Sequence, residues 1–228
     1  MLLFAVPGAS GQGLGDDRRG VAVIASDSLV PSGVGGAKRS LADASAIGGD
    51  RVPEGVGAGL RVATLRGLTA DWDVTIRAPL VTSIREGDVM LASFWARCHE
   101  SMTGEGVIQF VFERSGKPYN KSALVRFGVR EQWKRFHVPF VADDGYGVGE
   151  AHATFHLGFN GQVVELAGLE VVNFRDTASL GELPRTRADY AGRAADAPWR
   201  AEAERRIDRL RKADLVVTVT GAAGNPVP

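Results

Sequence analysis

From residue 60 to residue 174, apolar and polar side chains alternate with a period of two in one short run after another, the pattern of strands that bury a single face. Residues 60–65 place Leu60, Val62 and Thr64 on one side, and residues 72–77 set Trp72, Val74 and Ile76 against Asp73, Thr75 and Arg77. In residues 89–97, Phe94 and Ala96 oppose Ser93, Trp95 and Arg97; in residues 107–113, Ile108, Phe110 and Phe112 oppose Gln109, Val111 and Glu113. Residues 122–129 and 132–140 add two more strands, the second containing Pro139, which has no ladder donor and so favours a sheet edge. Residues 151–174 read as two strands joined at 159–162. Phe155, Leu157 and Phe159 face one way there, and His152, Thr154 and His156 the other, with a bulge expected at Ala167–Gly168.

With a first strand over 21–25, the count reaches eight or nine strands and no helical pattern among them. This predicts an all-β fold, two antiparallel sheets in a β-sandwich, with a jelly roll as the favoured version. The stretch 26–59, rich in Gly, Ser, Ala and Pro, reads mostly as loop. The tail changes in kind. Asp196 is a candidate N-cap, Pro198 falls in the first turn, and Trp199, Ala203, Ile207 and Leu210 recur at helical spacing. Glu202 with Arg206 and Asp208 with Lys212 form i,i+4 pairs. A strand over 215–220 then leads into a turn with no return strand, so one unpaired terminal strand is expected and the natural polypeptide is expected to continue. The domain reading is 1–20 a residual signal peptide or disordered segment, 21–176 the sandwich, 177–196 a linker, 197–213 a helix, and 214–228 the first strand of a missing domain.

Composition narrows the function classes. Lys+Arg and Asp+Glu number 27 each in 228 residues, so no global field draws the chain to nucleic acid or an anionic membrane. The single cysteine, Cys98, excludes an internal disulfide and a cysteine metal cluster, and reads as a small buried thiol. No run approaches the ~20 apolar residues of a membrane span. Residues 1–6, MLLFAV, followed by small residues, fit the end of a secretory signal, with an ordinary disordered terminus as the other reading. The first implies a secreted protein, extracellular or periplasmic.

The succession GDVMLASFWAR, VIQFVFERSGKPYNKS, Trp133 before HVPF, AHATFHLGF and VVELAGLEVVNF resembles carbohydrate-binding modules of the family 4, 9 and 22 type, over residues 20–175. The tail, with DAPWR, the RI..LRK helix and a strand ending GNPVP in that order, resembles the segment preceding the catalytic barrel in bacterial family 10 glycoside hydrolases, the xylanase family. The resemblance implies a galactose-binding-domain-like jelly roll that is noncatalytic and monomeric. Its partners would be a plant cell-wall polysaccharide, xylan or β-glucan, and a covalently linked downstream hydrolase domain absent from this chain. A barrel of about 250 residues carrying two catalytic glutamates has no room here, so catalytic residues are expected to be absent. The alternative is a structural domain that braces the barrel without binding sugar. A third reading, an unrecognised enzyme, would require paired carboxylates facing one groove.

Sugar recognition needs aromatic faces for the pyranose ring and planar polar groups for its hydroxyls. His156 lies on the polar face, and the resembled modules place a ligand contact on the matching strand in some members; a solvent-facing histidine is the other reading. Trp95, beside Ser93 and Arg97, and Trp72 are the candidate platforms, each with core burial as its alternative. Gln109, Glu113, Tyr119, Arg126 and Arg97 are candidate polar contacts, and Gln162 a candidate on the groove rim. Trp133 is assigned to structure. No cofactor is required, and a structural calcium ion stays open without nameable ligands. His152 and His156 as a metal pair are set aside because four residues of strand span about 13 Å.

Overall fold

The computed structural model describes residues 20–25, 42–65, 68–187, 197–211, 219 and 222–224, and the chain divides into two compact units, Met1–Asp189 and Tyr190–Pro228. The expected leader over 1–19, residues 188–196 of the expected linker with the Asp196 cap, and the strand over 215–220 apart from Val219 lie outside the described residues.

Among the described residues, ten strands build the first unit. They are β1 (Val21–Ala22), β2 (Ala42–Gly48), β3 (Ala58–Thr64), β4 (Thr75–Pro79), β5 (Val89–Ser101), β6 (Gly106–Arg114), β7 (Lys121–Val129), β8 (Lys134–Val141), β9 (Ala151–His156) and β10 (Gln162–Arg175). A six-stranded antiparallel sheet runs β2-β3-β10-β5-β8, with β1 paired to the far end of β10, and a four-stranded antiparallel sheet runs β4-β9-β6-β7. The fold is a β-sandwich of jelly-roll type.

The core forms where the alternation said it would. Phe94 of β5 lies 5.4 Å from Phe136 in its own sheet and 4.8 Å and 5.7 Å from Phe155 and Phe110 of the facing sheet, ring centroid to centroid. All four rings are buried, each contributing about 2 to 3 kcal/mol by leaving water, so this aromatic stack fastens one sheet to the other.

Three readings need correction. The segment around 42–48 is not loop but β2, paired with β3 along its whole length. Its sequence, ADASAIG, lacks the β-branched run that marks a strand because it is an edge element with five of seven residues exposed or half-exposed. Residues 72–74 do not continue a strand: Asp71–Asp73 form a 3-10 turn, and β4 begins at Thr75. Finally, the two strands joined at 159–162, β9 and β10, are not neighbours in one sheet. Residues 157–161 carry the chain from the four-stranded sheet to the six-stranded one, and each strand finds its partners elsewhere.

Local rules account for other details. The bulge falls where Ala167–Gly168 placed it, the β5 register slipping between Ala167 and Glu170 around a Gly168 at φ +57°. Pro139 sits in β8, an edge strand. That edge is covered at its middle: the Thr186 N–H donates to the His137 carbonyl at 2.9 Å, and the His137 N–H donates to Thr186 Oγ1 at 2.9 Å. In the second unit, α1 (Pro198–Arg211) is a helix whose Trp199, Ile207 and Leu210 are all exposed, with the Arg200 guanidinium 4.7 Å from the centre of the Trp199 ring.

Candidate functional site

The outer face of the four-stranded sheet is a grid fixed by strand register. Thr75, His156, Gln109 and Arg126 lie in one cross-strand row, Arg77, Thr154, Val111 and Leu124 in the next, and Pro79, His152, Glu113 and Lys121 in the third. Two loops rise beside this grid. The 3-10 turn carries Trp72, 65% exposed, and the β6–β7 loop carries Tyr119, 46% exposed. Together with the exposed Leu124 they enclose a groove of about 460 Å³ whose polar lining includes Asp71, Thr75, Arg77, Gln109, Glu113, Lys121 and His156.

Tyr119 is held out at a cost. Its φ of +58° lies in the left-handed region, which disfavours a side chain by roughly 1 kcal/mol or more. The loop over-determines it: the Tyr119 N–H donates to the Gly116 carbonyl at 2.8 Å, and the Tyr119 carbonyl accepts from Lys121 Nζ at 3.0 Å.

Polar groups on the floor are wired to one another. Gln109 Nε2 donates to Asp71 Oδ2 at 2.7 Å and lies 3.3 Å from His156 Nδ1, while Gln109 Oε1 accepts from Arg126 at 3.1 Å. The Arg126 guanidinium in turn lies 4.4 Å over the Phe159 ring. Glu113 accepts from Lys121 Nζ at 2.9 Å and sits 3.3 Å from His152 Nε2 and 4.0 Å from His156 Nε2. His152 Nδ1 is 3.0 Å from Ser115 Oγ. Both imidazoles, four residues apart on β9, thus approach the same Glu113 oxygen on the neighbouring β6. Among the described residues, no group of three or more His, Cys, Asp or Glu is placed to hold a metal ion.

Burial and pairing set the charge states. Burial works to raise the Glu113 carboxyl, but hydrogen bonds and charge from His152 and Lys121 outweigh it and hold the group down to about 2. His156 is pushed below its ordinary value, chiefly by burial, against the opposing pull of Asp71 and Glu113. It is only 5% exposed, so the solvent-facing reading of this residue does not hold. Two hydroxyls on this face have no hydrogen-bond partner in the protein: Thr75 Oγ1, at the groove wall, and Thr154 Oγ1, beneath it. Native sandwiches rarely leave buried hydroxyls unpaired.

Of the nine residues singled out from sequence, the structure gathers Trp72, Gln109, Glu113, Tyr119, Arg126 and His156 around this groove. Trp95, Arg97 and Gln162 lie elsewhere. Trp95 is on the outer face of the six-stranded sheet, half-buried against Ile47, Val52, Val56, Ala167 and Trp133, so it is not a free platform. Arg97 donates to Glu165 Oε2 at 2.7 Å and stacks 4.8 Å from the centre of the Trp133 ring. Gln162 is 2% exposed and staples the β9–β10 corner, accepting from the Val107 N–H at 2.7 Å and donating to the Val107 and Leu157 carbonyls at 2.8 and 3.2 Å. Alternation identifies the polar side of a strand but not the sheet it belongs to, and both sheets have a polar outer side. Asp71, Thr75, Arg77 and Leu124 had not been singled out. Thr75 and Arg77 did carry a signal, since they alternate against Val74 and Ile76, whereas Asp71 and Leu124 carried none.

Another hollow, about 660 Å³, opens beside Gln162 and His99 but has no Trp, Tyr or Phe among its described lining residues. A third, about 290 Å³, lies beside Trp133, whose face is already occupied by Arg97.

No family model and no curated protein matches this chain. Solved structures do, at low identity. The N-terminal cellulose-binding domain of Cellulomonas fimi β-1,4-glucanase C aligns at 17% identity and TM-score 0.42, over 56% of this chain and 86% of that one. The CBM22-1 xylan-binding domain from Paenibacillus barcinonensis aligns at 11% identity and TM-score 0.38, over 60% and 83%. The CBM22-1–GH10 modules of a Clostridium thermocellum xylanase, solved with xylohexaose, align at 9% identity and TM-score 0.44, over 61% of this chain and 27% of that one. The solved structures to which the chain is similar thus include carbohydrate-binding modules, one of them joined to a family 10 hydrolase domain.

Proposed function

We propose that the first unit is a noncatalytic carbohydrate-binding module that takes a plant cell-wall polysaccharide, xylan or a β-glucan, in the groove over the four-stranded sheet. The observation that carries this reading is the pairing of two exposed aromatic rings, Trp72 and Tyr119, across a floor of hydrogen-bonded planar groups, Gln109, His156 and Glu113. An aromatic face excludes water from the apolar side of a sugar ring, and a fixed amide or carboxylate reaches its equatorial hydroxyls.

Asp71 and Glu113 meet the formal requirement of two carboxylates on one groove, and their chemistry argues against hydrolysis. Glycoside cleavage needs a carboxyl that still holds its proton near neutrality. Glu113, held down to about 2, has none to give, and Asp71 Oδ2 is engaged by the Gln109 amide. In the full-length protein the module would hold a linked family 10 hydrolase domain close to its polymer by raising its effective concentration. The protein acts outside the cytoplasm in this reading.

Calorimetry and affinity electrophoresis of the chain against xylan, β-glucan and mannan test the proposal. Trp72→Ala lowers affinity by about thirtyfold, the roughly 2 kcal/mol of an interface hot spot. Trp133→Phe leaves it unchanged. Absence of retardation on every polysaccharide would favour a domain that only braces its neighbour, and reducing-sugar release by this chain would overturn the noncatalytic reading.

A further inference from the structure

We propose that the groove selects an acidic sugar, a hexuronic acid residue whose carboxylate is met by Arg77; this deepens the carbohydrate reading and rests on it. The charges around the groove are compensated pair by pair with one left over. Lys121 is 2.9 Å from Glu113, and Arg126 is 3.8 Å from Asp71 while also donating to Gln109. Arg77 lines the same groove, is exposed, and among the described residues has no ion pair or hydrogen bond.

Its neighbours on this face bring no carboxylate of their own. Thr75, two residues along β4 on the same face, is 2% exposed with an unpaired hydroxyl at the groove wall. Thr154, directly across from Arg77 on β9, has an unpaired hydroxyl as well. A guanidinium presents two parallel N–H groups that match a carboxylate fork. A neutral sugar has no group that uses this fork fully. Trp72 and Tyr119 supply stacking surfaces in the same groove, so the carboxylate and the pyranose ring are recognised by different residues of one site.

A uronate can belong to the backbone of a polymer or hang from a neutral backbone as a substituent, and the test separates the two. The full chain is titrated calorimetrically at low salt with xylotetraose, with xylotetraose bearing one glucuronic acid substituent, and with tetragalacturonate. The expected result is at least roughly tenfold tighter binding of one acidic ligand than of xylotetraose, the lower end of what a charge-assisted hydrogen bond supplies. The preferred acidic ligand identifies the source. Arg77→Gln removes the preference, Arg77→Lys keeps part of it, and 0.5 M salt shrinks it in the wild type. Urea midpoints equal to wild type establish that the variants are folded. Equal affinity for acidic and neutral ligands, or a preference that survives Arg77→Gln, overturns the assignment while leaving carbohydrate binding intact. Failure of all three ligands, together with failure on the polysaccharides, removes the carbohydrate reading and this inference with it.

Discussion

Gln109 Nε2 donates to Asp71 Oδ2 at 2.7 Å, a bond that joins the sheet floor to the turn that presents Trp72. The amide is 2% exposed, and its two ends address different loops and strands, so its orientation is fixed by the network rather than by packing alone. Gln109→Leu keeps the volume and removes the tie. It is expected to lower affinity for the proposed polysaccharide ligand by about five- to tenfold, the scale of one hydrogen bond of roughly 1 to 1.5 kcal/mol, with a small loss of stability. Calorimetry beside urea denaturation separates the two effects, and unchanged affinity would show that Trp72 is placed without it.

Gly158 tests the same turn from its other side. Its N–H donates to the Asp71 carbonyl at 2.9 Å, and a Cβ there would lie 2.3 Å from the Ala70 carbonyl oxygen and 2.8 Å from that of Asp71. Those contacts are backbone and cannot swing aside. Gly158→Ala therefore pushes the turn off the β9–β10 corner, costing about 1 to 3 kcal/mol as overpacking does. A shifted tryptophan emission maximum and weakened sugar binding are the expected readouts.

Acid should loosen the domain in two stages. The His156 ring has a lowered value, so below about pH 6.5 the unfolded chain takes up a proton that the buried ring resists, and stability falls as pH falls. Glu113 goes from 4.5 when unfolded to about 2 when folded, so its contribution is complete above pH 4.5 and is lost as pH drops through 2. That second stage amounts to at most about 3 kcal/mol. Urea midpoints measured from pH 8 to pH 2 should stay level down to about pH 6.5, fall below it, and fall again below pH 4.5. Glu113→Gln should be less stable at pH 7 and show a flatter profile below pH 4.5.

On the opposite sheet, Glu165 is fully buried and surrounded by Arg97 at 2.7 Å, His99 at 3.1 Å, Arg61 at 3.2 Å and Arg51 at 3.4 Å. Burial works to raise its carboxyl, and the bonds from Arg97 and His99 lower it further than burial lifts it. Glu165→Ala strands several cations over an apolar space. The arginines are partly solvated, so the cost falls toward the lower end of the roughly 3 to 5 kcal/mol for breaking a buried pair. Thermal unfolding should register the loss, and polysaccharide affinity at a permissive temperature should not change.

The sandwich was legible because its strands are half-buried, so a period of two appears wherever Phe94, Phe110, Phe112 and Phe155 alternate with polar neighbours. β2 was hidden because an edge strand of small residues owes its conformation to β3 rather than to its own side chains. The groove was legible in the same measure. Gln109, Glu113 and His156 follow from alternation on β6 and β9, but their neighbourhood depends on cross-strand register, which single strands do not encode. Trp95 shows the limit: its polar neighbours were read correctly and its sheet was not, because Ala167 and Arg135 flank it from strands far away in sequence. Trp72 was ambiguous for another reason. It imitates the alternation of Val74 and Ile76 while belonging to the turn before them.

β10 bonds to β3, β5 and β1 along its fourteen residues. Releasing any one neighbour leaves the others gripping it, so amide hydrogens at its centre should exchange only when the whole sandwich opens. The Asp71–Asp73 turn belongs to no strand ladder and is held to the sheet by single contacts of Asp71 with Gln109, Gly158 and Arg126. The residue that presents the broadest aromatic face to the groove, Trp72, therefore stands outside the ladder of strand pairing that keeps the domain folded, so substitutions there are expected to leave the unfolding midpoint almost unchanged.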